Sequence, residues 1–246
     1  MTGILAKEIF YPESLVGGFS DIDGTIAFYL RVNELLKGSD TALDVGCGRG
    51  EYADDPVETR RNLRILRGKC ARVLGIDPDV AGAANPCIDE FRRLSSPTWL
   101  VHGESIDLCL VDNVLEHVED PGRFFTECRR VVKVGGFLCV RTPNTLGYAT
   151  VMARLIPDRA HASVLRRVQA GRESQDVFPT HYRCNTPRQL RRMLTTHGFG
   201  NCVYGYGSDP AYLDFSTLAY ALGVAWARVA PRSLQCTLFA FARRLA

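Results

Sequence analysis

At 246 residues, with 46% hydrophobic and 23% charged side chains, the chain has the composition of a globular protein: one α/β domain with insertions, or two small domains. A formal net charge of +3 is too slight to argue for nucleic acid or an acidic membrane as partner. Nine cysteines, an odd number with no C-x-x-C pair, argue against a disulfide framework or a zinc site and for a reducing cytoplasm.

Residues 1–23 read as a lead-in rich in turn residues, with no basic region followed by a long apolar core. Asp23 then caps a helix carrying Ile26, Phe28, Tyr29, Leu30, Val32, Leu35 and Leu36 and ending at Gly38. Tyr29 either faces a site at the strand ends or packs on the sheet. The next stretch, Thr41-Ala42-Leu43-Asp44-Val45-Gly46-Cys47-Gly48-Arg49-Gly50-Glu51, organises the rest. A buried parallel strand runs into a turn where glycine lets a ligand touch the main chain. Bare N–H groups there suit a negatively charged ligand group. Asp44 is a carboxylate inside the apolar run, costly unless a cationic or hydroxyl-bearing ligand meets it. The third glycine comes one place too early for the G-x-G-x-x-G dinucleotide fingerprint, which argues against NAD.

A surface helix is expected over Val57 to Leu66, its arginines (Arg60, Arg61, Arg64, with Arg67 just beyond) read as a solvated face. A second strand, Arg72 to Ile76, ends in Asp77, placed to hold ribose hydroxyls. Asn85 to Phe91 reads as a short third strand or its end, with Asp89 or Glu90 either reaching an adenine amino group or simply exposed. Ser105 to Val111 is a fourth, buried strand with the polar end Asp112-Asn113, followed by Glu116-His117 in a helical turn. Pro121 opens a helix that Gly135-Gly136 stops, and Gly136 to Thr142 is a fifth strand. The order predicts a parallel sheet with helices on both faces and a ligand at the carboxyl ends of the strands. Residues 145–185 are an arginine-rich insertion, read as a lid on a single domain spanning 1–246. Thr186-Pro187-Arg188-Gln189 caps a further helix; Gly200 to Tyr206, an amphipathic helix over Leu213 to Val229, and Cys236 to Arg243 complete the chain.

Three elements together resemble the class I S-adenosylmethionine (SAM)-dependent methyltransferases of small-molecule type: Leu43-Asp-Val-Gly-Cys-Gly-Arg-Gly, Gly75-Ile-Asp-Pro-Asp, and Ile106 through Glu116-His117-Val118 to Gly135-Gly136-Phe137. More loosely, Arg141-Thr-Pro-Asn and Phe178-Pro-Thr-His-Tyr-Arg-Cys-Asn-Thr-Pro resemble bacterial enzymes of glycan and secondary-metabolite pathways. The resemblance implies a Rossmann-like seven-stranded, mostly parallel sheet with its last two strands antiparallel, and SAM as cofactor. It implies cofactor contacts from Asp44, Gly46, Cys47, Gly48, Asp77, Pro78, Asp89, Asp112 and Asn113, with Gly46 and Gly48 lining the methionine part. The segment between Gly50 and Asp77 is longer and more polar than in commoner members and is expected to alter only the outer surface.

The expected reaction is methyl transfer to a small-molecule hydroxyl, the lid arginines suggesting an anionic acceptor. His181 is the first candidate base and His117 the second. No metal is expected. A homodimer is an alternative to a monomer. An RNA or protein methyltransferase and a non-catalytic SAM-binding protein are the competing readings.

Overall fold

The structure is a computed structural model that describes residues 6–148, 150–151 and 179–246, Tyr212 by its backbone alone. Seven strands form one sheet in the order β3-β2-β1-β4-β5-β7-β6. They are β1 (Thr41–Val45), β2 (Arg72–Asp77), β3 (Glu90–Arg93), β4 (Ile106–Asp112), β5 (Val132–Pro143), β6 (Phe199–Tyr206) and β7 (Thr237–Arg244). The first five run parallel, and β7 pairs antiparallel with both β5 and β6. The helices are α1 (Ala6–Phe10), α2 (Gly24–Leu35), α3 (Glu58–Arg64), α4 (Pro121–Val131), α5 (Pro187–Thr196) and α6 (Thr217–Val229).

Alternation along each strand sorts the core into two layers. Leu43 and Val45 of β1, Leu74 and Ile76 of β2, Cys109 and Val111 of β4, and Leu138 and Val140 of β5 pack on α4 and α5. Ala42, Val73, Leu108, Leu110 and Cys139 pack on the other side, against Phe28, Tyr29 and Val32 of α2 and Leu63 and Leu66 around the end of α3. The same period-two rule sends Asp44, Asp77, Asp112 and Arg141 to the α2/α3 side. Four ionisable groups thus share one face at one end of the sheet. Ile106 breaks the alternation, packing with the α4/α5 layer, where the pairing of β4 with β5 slips between Ile106 and Leu108.

Asp23 starts α2 as expected, accepting hydrogen bonds from the N–H groups of Thr25 and Ile26 at 2.9 and 3.0 Å. Two expectations fail. The third strand begins only at Glu90, so Asn85 to Ile88 are connecting chain. The last helix begins at Thr217 and buries Tyr220, Gly223 and Val224, while Leu218, Leu222 and Val229 face outward. It carries apolar residues on both sides instead of one. Of the 145–185 insertion, residues 149 and 152–178 lie outside the described residues.

The β6 edge is closed by a tight backbone crossing. A Cβ added at Gly205 would lie 1.8 Å from the Arg232 carbonyl oxygen, whereas one at Gly200 would meet only the Leu245 side chain, at 3.4 Å. Gly205→Ala is therefore expected to cost about 1–3 kcal/mol in urea unfolding, and Gly200→Ala less than about 0.5 kcal/mol. Equal costs would show that the crossing is not a constraint.

Candidate cofactor cleft and active site

Strand order reverses between β1 and β4: the chain leaves β1 toward β2 and β3, then returns to place β4 on the other side. The carboxyl ends of these two strands therefore open a crevice, the place where such sheets bind ligands. The turn after β1 is the crevice's floor. Gly46, Gly48 and Gly50 have φ of +70°, +52° and +80°. A Cβ at Gly46 would fall 2.4 Å from the Val114 side chain, and one at Gly50 2.4 Å from Asn85. At Gly48 nothing lies closer than 3.6 Å, so this glycine leaves its backbone open to a ligand.

The turn is held before any ligand arrives. Gly46 N–H donates to the Ile76 carbonyl at 2.7 Å, and Gly48 N–H donates to Asp77 Oδ2 at 3.0 Å. Asn85, fully enclosed behind the turn, donates from Nδ2 to the Cys47 carbonyl at 2.8 Å and accepts the Cys87 N–H on Oδ1, also at 2.8 Å. Sequence reading missed Asn85, and its only signal was a polar residue before Pro86 in a chain returning to the sheet. Asp77 also accepts the Asp79 N–H, on Oδ1 at 2.8 Å. Each of its oxygens keeps a further lone pair for a ribose hydroxyl. Pro78 is exposed at the same edge. The Cys47 side chain is buried, against the place a Cβ on Gly75 would take, and burial pushes its thiol pKa up. It presents only backbone to the crevice.

Asp112 differs from its expected role. Its Oδ1 accepts from Arg141 Nε at 2.6 Å and Asn113 Nδ2 at 3.1 Å. Its Oδ2 accepts from Arg141 Nη2 at 2.7 Å and the Tyr29 hydroxyl at 2.8 Å. Four donors fill the four lone-pair sites of a carboxylate, so the side chain has none left for a cofactor. Burial pushes the Asp112 carboxyl up, but the charge and hydrogen bonds of Arg141, with help from Arg64 and Tyr29, outweigh it and hold the pKa below the usual range. Arg141, 7% exposed, also donates from Nη1 to Thr25 Oγ1 at 2.6 Å. Tyr29 answers both alternatives: it is buried against Phe28 and reaches the site through its hydroxyl. Asn113, with φ of +54° and its N–H on the Arg141 carbonyl at 2.8 Å, turns the chain off the end of β4.

Asp44 is the under-partnered acid. Burial, then the negative charge of Asp112, raise its pKa from 3.8 to about 7, against the pull of Arg64 and a hydrogen bond from Tyr52. The arginines around α3 are not a solvated face. Arg60 grips Asp55 at 2.5 and 2.8 Å and Asp23 at 3.0 Å. Arg61 donates to the Asp55 carbonyl at 3.0 Å, and Arg67 to Asp89 at 2.8 Å. That last contact corrects the reading of Asp89. Its N–H bonds the Val73 carbonyl and its Oδ2 accepts the Val73 N–H, beside the start of β2, which puts it at the amino edge of the sheet, across from the crevice. The cause is the late start of β3.

The two candidate bases lie together at the carboxyl edge. The N–H groups of His181 and Tyr182 donate to the Glu116 carbonyl at 2.7 and 3.1 Å, and His117 Nδ1 lies 3.0 Å from the Pro179 carbonyl. Asn185 continues the seam, donating to Thr142 Oγ1 at 2.7 Å. The segment after the insertion thus folds back over the ends of β4 and β5. The His181 imidazole is exposed and makes no hydrogen bond to another described residue. Glu116, between them, is buried and receives the Thr142 hydroxyl at 2.9 Å, and burial raises its pKa.

A family model described as a methyltransferase domain matches residues 22–202. The chain belongs to the class I SAM-dependent methyltransferases. An uncharacterized methyltransferase of Mycobacterium sp. (strain KMS) is 36% identical to it over 227 residues, covering 90% of this chain and 79% of its own. The ubiquinone biosynthesis O-methyltransferase of Rhizobium etli is 27% identical over 156 residues, 63% of this chain and 58% of its own. Among solved structures, geranyl diphosphate C-methyltransferase from Streptomyces coelicolor, in complex with Mg2+, geranyl diphosphate and S-adenosyl-L-homocysteine, shares the fold with a TM-score of 0.56 at 17% identity, over 90% of this chain and 79% of that one. A SAM-dependent methyltransferase from Archaeoglobus fulgidus does so with a TM-score of 0.57 at 15% identity, over 96% and 99%. SAM is the cofactor of this methyltransferase, and the crevice suits it: an open glycine backbone, an acid with spare lone pairs after β2, and a buried acid awaiting positive charge.

Asp44 gives a pH signature. A carboxyl whose pKa rises from 3.8 to about 7 on folding contributes stability that is whole below pH 3.8 and lost as pH rises through 7. Asp44→Asn is expected to raise the stability of the ligand-free protein at pH 8, by up to about 4 kcal/mol, with the gain vanishing near pH 4. Thermal unfolding at the two pH values decides it, and a wild type more stable than the variant at pH 8 refutes the assignment.

Proposed function

We propose that this methyltransferase acts on a hydroxyl oxygen of a small molecule: a sugar, a glycan precursor or a secondary metabolite. The observation that carries the reading is a pair of histidines at the carboxyl edge: His117 Nδ1 lies 3.0 Å from the Pro179 carbonyl, and the His181 N–H bonds the Glu116 carbonyl at 2.7 Å. The Rhizobium etli relative, an O-methyltransferase by name, supports the same acceptor atom.

SAM supplies an electrophilic methyl group on a sulfonium. The chain's own work is to hold the acceptor oxygen in line with it, which can supply most of the acceleration, and to take the hydroxyl proton. In this reading Asp77 holds the ribose, the backbone at Gly46 and Gly48 lies along the methionine part, and Asp44 faces its positive charge. His181 accepts the proton, with His117 as the alternative. The arginine-rich composition of 145–185 favours an anionic acceptor.

His181→Gln is expected to lower kcat by about 10²–10⁴ with SAM affinity unchanged, using radiolabelled SAM and a panel of hydroxylated metabolites. Label recovered on nitrogen, or near-normal turnover of His181→Gln, would refute the acceptor or the base respectively.

A further inference from the structure

The last helix has two apolar sides and spends one of them within its own chain. Tyr220 and Val224, on its inner side, pack with Ala6 and Tyr11 of the N-terminal segment. Its outer side carries Leu218, Leu222, Ala225 and Val229, and the three large side chains are 73%, 65% and 78% exposed. Phe215, 68% exposed, stands just ahead of Ser216, which caps the helix. Spacings of four, three and four residues set the helical positions in one stripe, about three turns long. This is the seam by which one helix receives another, knobs into holes. A contiguous apolar patch of this kind marks a contact surface.

Charge decides what the second helix is. Asp214 lies in the turn before α6 and Arg228 near its end; both are exposed, and neither is ion-paired to a described residue. A second copy of α6 laid antiparallel brings the first turn of each helix against the last turn of the other. Asp214 then meets Arg228 twice, once on each side of a two-fold axis. The same register sets Leu218 against Leu222 and the Phe215 ring over Ala225, whose small side chain leaves room for it. A parallel pair would instead set Asp214 on Asp214 and Arg228 on Arg228. A helix lying on a membrane carries Lys and Arg along its other, polar side, whereas the side of α6 opposite the stripe is buried on its own chain.

We infer that α6 is a homodimer interface: it closes antiparallel on α6 of a second copy through Leu218, Leu222, Ala225 and Phe215, with an Asp214–Arg228 ion pair at each end. None of these residues has a part in the cleft or the candidate bases, so the inference stands apart from the proposed acceptor.

The test is sedimentation equilibrium of the full chain over a range of concentrations. The wild type is expected to dimerise reversibly with a Kd on the order of 10 µM, as suits a short two-helix contact. Leu222→Glu, at an exposed position, should weaken the dimer at least about 30-fold, because the residue enters the interface twice. Asp214→Arg and Arg228→Asp should each weaken it about 5- to 10-fold when alone. Mixed in equal amounts, these two variants should recover wild-type affinity as a heterodimer, since each supplies the charges that the other lacks. Recovery on mixing is a readout that a misfolded variant cannot give. A chain that stays monomeric at about 200 µM overturns the inference, whether or not it cosediments with vesicles of anionic phospholipid. A dimer that survives Leu222→Glu is formed by another face and overturns it too. Charge reversals that cost nothing, or a mixture that does not recover, overturn the antiparallel pairing.

Discussion

The structure depends on one saturated carboxylate. Asp112 draws two hydrogen bonds from Arg141, one from Tyr29 and one from Asn113, and Arg141 reaches on to Thr25. These contacts tie β4, β5 and α2 together at the carboxyl edge of the sheet. A buried ion pair is weak evidence for net stability, because desolvation consumes most of its attraction. Its effect is geometric. With both charges enclosed, any displacement of α2 or β5 would strand one of them, so the elements have one low-energy arrangement. Removing one partner alone would leave the other charge uncompensated, which costs several kcal/mol.

Around that fixed centre the polar groups fall into two sorts. Asp112, Arg141, Asn85 and Arg60 have their bonding capacity filled by the fold. Asp44 and Arg64 do not. Not every unpartnered group lies in the crevice: the Tyr11 and Tyr220 hydroxyls, enclosed between the N-terminal segment and α6, make no hydrogen bond to a described residue.

Much of this was legible in the sequence. The glycine turn, the strand-end acids and the switch between β1 and β4 follow from apolar runs that end in polar residues. Period-two alternation even implies that Asp44, Asp77, Asp112 and Arg141 share a face. Asp89 was misplaced because an apolar run, Pro86 to Ile88, looked like strand when it is the approach to one. A shift of a few residues there moves an acid from one end of the sheet to the other. The saturation of Asp112 and the contacts of Arg64 could not be read at all. Arg141 lies 29 residues from Asp112 in the chain and Tyr29 lies 83, and arginines at helical spacing look alike until their partners are known. The outward apolar side of α6 was hidden for a related reason: a helix apolar on two sides has no pattern that says which side is buried.

The slip between β4 and β5 bears on how such a sheet can change over time. Val132 faces Ile106 and Phe137 faces Leu108, so β5 makes a detour through Lys133 to Gly136 where β4 goes straight. Insertions and deletions in that detour alter its length and leave Leu108 to Asp112 in register. A single residue lost between Leu108 and Val111 would instead swing Asp112 to the α4/α5 side, away from Arg141 and Tyr29. Length variation is therefore tolerable at the amino edge of these two strands and ruinous at the carboxyl edge, so lineages of this fold can drift at one end of the sheet while the other stays locked.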